Sequence, residues 1–127
     1  MPRRELIVML ADAREAVIEA ETLLADIETF DAFSASNLHQ RALERMMEIA
    51  GESSFQARKI QADLPITDLH KIIGLRHMIA HDYYHVSIER LWTIATENLP
   101  LLKEEIESCI TQENQKLFGN INSSLDE

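Results

Sequence analysis

An all-α fold, an antiparallel up-and-down bundle of four to five helices, is predicted by three features of this 127-residue chain. Only three glycines and three prolines punctuate it. Apolar residues recur at three- and four-residue steps almost throughout, the period of helices with one buried face. The breaks between these stretches are short, and short connections between long helices favour antiparallel neighbours. A chain of this length builds one core rather than two, so residues 1–115 are read as a single helical domain and residues 116–127 as a flexible tail.

The elements follow in order. Leu6, Leu10, Ala13, Val17, Ala20, Leu24 and Ile27 form a seam that asks for a neighbouring helix along its whole length. Asp31 to Ser36 interrupts it, and Ser36 or Asn37 caps a second long helix. Its expected stripe is Leu38, Ala42, Met46, Ile49, Ser53, Ala57 and Ile60, with Gly51 permitting close helix approach. Leu64-Pro65 ends that helix, Thr67 or Asp68 caps a shorter one, and that one runs to about Ala80. Ser87 precedes a restart through Ile88, Leu91, Trp92 and Ala95; Pro100 kinks or splits the last helix, whose stripe continues at Leu99, Leu102, Ile106 and Ile110.

Composition excludes several classes. No stretch of 18 apolar residues is present, so no segment is expected to span a membrane. The opening MPRRELIVML is broken by Glu5 and lacks a small-residue cleavage site, and the lone Cys109 falls on a helical stripe; both point to a cytoplasmic protein. A net charge of −10 argues against indiscriminate nucleic-acid binding. The charge is uneven, however: residues 1–33 carry −5, residues 34–81 carry +1 and residues 82–127 carry −6. Only the middle third does not repel a polyanion.

That third ends in LRHMIAHDYYH, Leu75 to His85, with histidines at 77, 81 and 85. Three readings compete. Imidazoles four apart share a helix face and could hold a metal, but no HExxH or Glu-x-x-His ligand set accompanies them. Histidines at a helix C-terminus also interact favourably with its carbonyl end, which accounts for one or two of them. The third reading is chemical. An always-charged Arg76, an imidazole titrating near neutrality at His81 and a phenol at Tyr83 form a set able to handle phosphate. The imidazole would take a proton from an RNA 2′-hydroxyl and the guanidinium would steady charge on the phosphoryl oxygens. DNA, lacking that hydroxyl, is not an expected substrate. One histidine serves poorly as both base and acid, so two copies of the chain across a two-fold axis would complete the site.

At these residues the sequence resembles the HEPN superfamily and, within it, the HepT-like ribonuclease toxins. Their signature of Arg, four residues, His, any residue and Tyr reads here as Arg76, HMIA, His81, Asp82 and Tyr83. The similarity extends over residues 5 to 110: a long first helix, the EIAGE segment of Glu48 to Glu52, the GLRH entry of Gly74 to His77, and Trp92 after the motif. The position after the arginine, often Asn in the family, is His77, a possible supporting residue. The resemblance implies a homodimeric HEPN-like bundle that cleaves RNA without a metal or other cofactor, with Arg76 and His81 of both chains lining a shared cleft. It also implies a partner, a minimal nucleotidyltransferase antitoxin that adds AMP to Tyr83 and silences the toxin. The alternative is a non-catalytic helical subunit that scaffolds the nucleotidyltransferase, which the acidic surface favours.

Overall fold

The computed structural model describes residues 2–81 and 87–125, with the backbone alone for Ala80, His81 and residues 120–125. Asp82, Tyr83, Tyr84 and His85 lie outside the described residues, and with them the expectations placed on Tyr83. Every regular element among the described residues is helical: α1 (Pro2–Leu24), α2 (Phe30–Ser34), α3 (Asn37–Ile60), α4 (Leu69–His81), α5 (Ile88–Thr93), a π-helical turn (Ile94–Asn98) and α6 (Leu99–Leu125). α5, the π turn and α6 follow one another without a loop, so the described residues form five helical rods. This is the all-α, HEPN-like bundle expected. None of the described helices is long and apolar enough to cross a membrane.

α1 lies between α3 and α6. Its contact with α6 is antiparallel, because Arg3 near its start pairs with Glu113 at 3.3 Å while Glu21 near its end accepts a hydrogen bond from Lys103 at 2.9 Å. Leu6, Leu10, Ala13, Ala16, Val17 and Ala20 are buried, large side chains near the start of the helix and small ones further along that let its neighbours come close. The seam stops there: the helix ends at Leu24, and Leu24 and Ile27 are only half-buried. The segment after α1 is not simply a break. Thr29 accepts from the Ala32 amide to start the single turn of α2, which drives Phe33 into the core beneath Trp92, ring centroids 5.3 Å apart.

Ser36 caps α3 through its hydroxyl, which accepts from the His39 amide. The stripe expected on α3 is displaced by about one residue. Leu43, Met47, Ala50, Ser54 and Ala57 are buried, Ser53 and Ala57 remain from the expected set, Ala42, Met46, Ile49 and Ile60 are half-buried, and Leu38 is exposed. The reason is that α3 has two long neighbours, α1 and α4, and a stripe drawn for a single neighbour lands on its flank. Met47 is therefore part of the core.

α3 and α4 pack as a hairpin whose closest approach is Gly51. A β-carbon there would stand 2.2 Å from Arg76 Cβ and 2.8 Å from the Ile72 carbonyl oxygen, so only glycine lets the two helices meet. The start of α4 is tied to the last helix. The Thr67 amide and hydroxyl both donate to Glu105 Oε2 at 3.0 Å, and Asn98 of the π turn donates to the Asp68 carboxylate at 2.8 Å. The π turn has a local cause: Pro100 has no amide to offer the preceding turn, and the Leu99 amide instead reaches the Ile94 carbonyl. Ser87 caps α5 by accepting from the Arg90 amide, and Leu99, Leu102, Ile106 and Ile110 are buried as the periodicity predicts. α6 continues helically to Leu125, into the stretch where composition predicts a loose tail.

Candidate functional site

α4 changes character halfway along. Leu69, Ile72, Ile73 and Leu75 are buried, whereas from Arg76 through Ile79 every residue is half-buried or exposed. The motif thus begins where the helix leaves the core of the single chain. Arg76 stands at that transition with its side chain 27% exposed.

Three residues of α3 hold it. Gly51 supports its β-carbon. Glu52 Oε2 receives its Nη2 at 2.6 Å, a charge-assisted contact at the short end of the normal range. The Phe55 ring lies beneath the guanidinium, 5.2 Å from Cζ to the centroid, within cation–π range. Glu52 is itself fixed, since its other oxygen accepts from Gln56 Nε2 at 3.0 Å. That hydrogen bond, and after it the charge of Arg76, holds the Glu52 carboxyl below its usual value against the opposing effect of burial. The result is an arginine whose rotamer is set before any ligand arrives, which lowers the entropic cost of using it.

Beside it, Arg45, Glu48, Ile49, Glu52, Ser53 and Arg76 line an open concavity of about 330 Å³. Arg45 is ion-paired with Glu48 on the same face. His77 is exposed on α4. His81 is the last residue of α4, five positions and so about 7.5 Å along the axis from Arg76. The backbone remains helical up to it, so no bend before His81 folds it back toward Arg76. The side chain of His81 and the whole of Tyr83 lie outside the described residues. Among the described residues no cluster of three His, Cys, Asp or Glu side chains could hold a metal ion. Cys109 is buried in α6, and burial pushes its thiol up, away from the thiolate a nucleophile needs.

Glu52 and Phe55 were not identifiable as the partners of Arg76 from spacing, nor Gln56 as the partner of Glu52. The one available signal was Gly51, a helix-interior glycine that costs about 1 kcal/mol against alanine and so asks for a packing reason. The residue after such a glycine is a natural candidate for contact with the neighbouring helix.

A bundle of these five rods, with a buttressed arginine at the head of an Arg-x4-His-x-Tyr segment, defines a HEPN-like helical domain. The chain belongs to the HepT-like ribonuclease family: the family model described as Ribonuclease HepT-like matches residues 13–109. It is also similar to proteins of Methanocaldococcus jannaschii. It shares 27% identity over 84% of its length and 98% of the relative's with "Putative RNase MJ1380". With "Putative RNase MJ1216" it shares 25%, over 87% of this chain and 91% of that one, and with "Putative RNase MJ0125" 24%, over 91% and all of it. No solved structure gives a significant match.

Proposed function

We propose that the chain is a metal-independent endoribonuclease that works as a homodimer, with Arg76 and His81 as its catalytic residues. The observation that carries this reading is the buttressed Arg76, a permanent cation fixed by Glu52 and Phe55 at the rim of an open concavity, on the helix that ends in His81. Membership of a ribonuclease family supplies the substrate class. In the proposed reaction His81 accepts the 2′-hydroxyl proton as the 2′-oxygen bonds to phosphorus. The bond to the 5′-oxygen breaks, and that oxygen takes a proton from the imidazolium of the second copy's His81. The products are a 2′,3′-cyclic phosphate and a 5′-hydroxyl, while the guanidinium of Arg76 stabilises the charge that builds on the non-bridging oxygens.

The half of α4 that leaves the core favours a dimer. Met78 is 37% exposed and Ile79 half-buried between Arg76 and His81, apolar surface that a second copy would cover. In this reading Tyr83 stands in the shared cleft and is the residue to which a cognate minimal nucleotidyltransferase adds AMP; each added phosphate places negative charge where RNA phosphate must bind. Cleavage of RNA in EDTA, with cyclic-phosphate ends on the products, tests the chemistry; activity that vanishes with chelator and returns with zinc refutes it. Incubation with the nucleotidyltransferase and ATP should add AMP to Tyr83 and stop cleavage, and Tyr83→Phe should escape. AMP found on Tyr84 would refute the assignment.

The scaffold reading has one observation in its favour: Glu52 already neutralises Arg76. It predicts a tight complex with the nucleotidyltransferase and no RNA cleavage by the unmodified protein.

A further inference from the structure

Phe55 does more than support Arg76. Its half-buried ring gathers three cations, with Lys59 Nζ 4.8 Å, Arg76 Cζ 5.2 Å and Arg58 Cζ 5.9 Å from the centroid. Glu52 pairs with Arg76 and its carboxylate also feels the charge of Lys59, but among the described residues neither Arg58 nor Lys59 has an ion pair of its own, so three cations share one carboxylate. Like charges collected around one ring repel each other, and an exposed cation–π contact offsets that only weakly. The arrangement is therefore short of negative charge. It is also the basic spot of an acidic molecule: residues 34–81 carry the only positive balance in a chain of net charge −10. A polyanion is repelled elsewhere and meets this patch.

An aromatic ring beside uncompensated cations suits a single-stranded polynucleotide, whose unpaired base stacks on the ring while its phosphates meet the charges. A duplex cannot use the ring, because its bases are already stacked on each other. We infer that Phe55, Arg58 and Lys59 form a subsite for one nucleotide of single-stranded RNA, adjoining the phosphate held by Arg76; the inference rests on the ribonuclease reading of that site. Lys59 is exposed and leaves the ring for a phosphate as the base takes its place. The exchange is favourable because base–aromatic stacking is the stronger contact. Arg76, pinned by Glu52, stays where it is.

The experiment measures binding of a 2′-O-methyl oligonucleotide, which has no free 2′-hydroxyl to attack, as a single strand and as a duplex, by fluorescence anisotropy over a range of salt. The wild type should prefer the single strand. Phe55→Leu keeps the apolar anchor and should weaken single-strand binding roughly tenfold, weaken duplex binding much less, lower the melting temperature only slightly, and raise KM for RNA more than it lowers kcat. Phe118→Leu, at an exposed aromatic on α6, should change nothing. The double variant Arg58→Gln, Lys59→Gln should make the log–log salt dependence shallower by about 1.4, two single-strand phosphate contacts. A wild type that cleaves RNA while Phe55→Leu and the double variant bind and cut as it does overturns the subsite alone. A wild type that neither binds nor cuts RNA overturns the ribonuclease reading and the subsite with it.

Discussion

α1 and α4 are both amphipathic by sequence, yet the folded chain treats them differently. α1 buries one stripe from Leu6 to Ala20 between two neighbours and is satisfied within a single chain. α4 buries Leu69, Ile72, Ile73 and Leu75 and then emerges, carrying Arg76, His77, Met78 and Ile79 into partial or full exposure. A helix that serves only the fold spends its apolar residues evenly along its length. One that is half buried and half exposed, with charged and imidazole side chains on the exposed half, offers a surface for contacts beyond the core. In the proposed function those contacts are with a second copy and an RNA strand.

The contrast can be broken by substitution. The largest expected effect is kinetic: Arg76→Ala and His81→Ala should each lower kcat/KM by about a hundred- to ten-thousandfold. Stability should hold to within about 1 kcal/mol, because the Arg76–Glu52 pair is partly exposed and screened by solvent. If His81→Ala unfolded the protein, the helix-end reading of the histidines would win. On α1 the opposite pattern is expected. Leu10→Ala should cost about 2–5 kcal/mol in urea denaturation by opening a cavity. Leu24→Ala, at a half-buried position, should cost only about 1 kcal/mol.

Gly51→Ala sharpens the comparison, since it acts on the contact that joins the two regions. Alanine favours the helix by about 1 kcal/mol. The collision with Arg76 Cβ and the Ile72 backbone outweighs that gain, so a net loss of about 1–3 kcal/mol is expected, with a fall in cleavage as Arg76 is displaced. A stabilised Gly51→Ala protein would mean that the helices are not in contact there. The smallest effect is electrostatic. The Asn98 hydrogen bond, and after it Lys71, holds the Asp68 carboxyl below its ordinary 3.8. Its contribution is fully present above that value and is lost as pH falls through the depressed folded one. Asn98→Ala raises the folded value back toward the ordinary one, so its melting temperature should fall less than the wild type's on acidification from pH 5 to 3.

Much of this was legible in the sequence, and the remainder was hidden for identifiable reasons. The α1 seam up to Ala20, the Ser36 cap, the helical restart after Ser87 and the Leu99–Ile110 stripe are local patterns and appear as such. α2 is five residues long, too short to show a period, and exists because Phe33 has the Trp92 ring to pack against. The buried face of α3 depends on how many helices surround it, which spacing along one helix does not encode. Arg76 stood out by its distance from His81 and Tyr83, but its partners Glu52 and Phe55 come from another helix and are brought to it by a glycine contact.

The central claim is that the exposed half of α4 works as part of a pair of chains. Its most direct test is RNA cleavage in EDTA, measured per chain as protein is diluted, with light scattering on the same samples and on Met78→Asp. The account predicts particles of twice 14.5 kDa that cut RNA, activity per chain that falls in step with the dimer fraction, and a monomeric, inactive Met78→Asp protein. Monomers that cut RNA as fast per chain as dimers would contradict it.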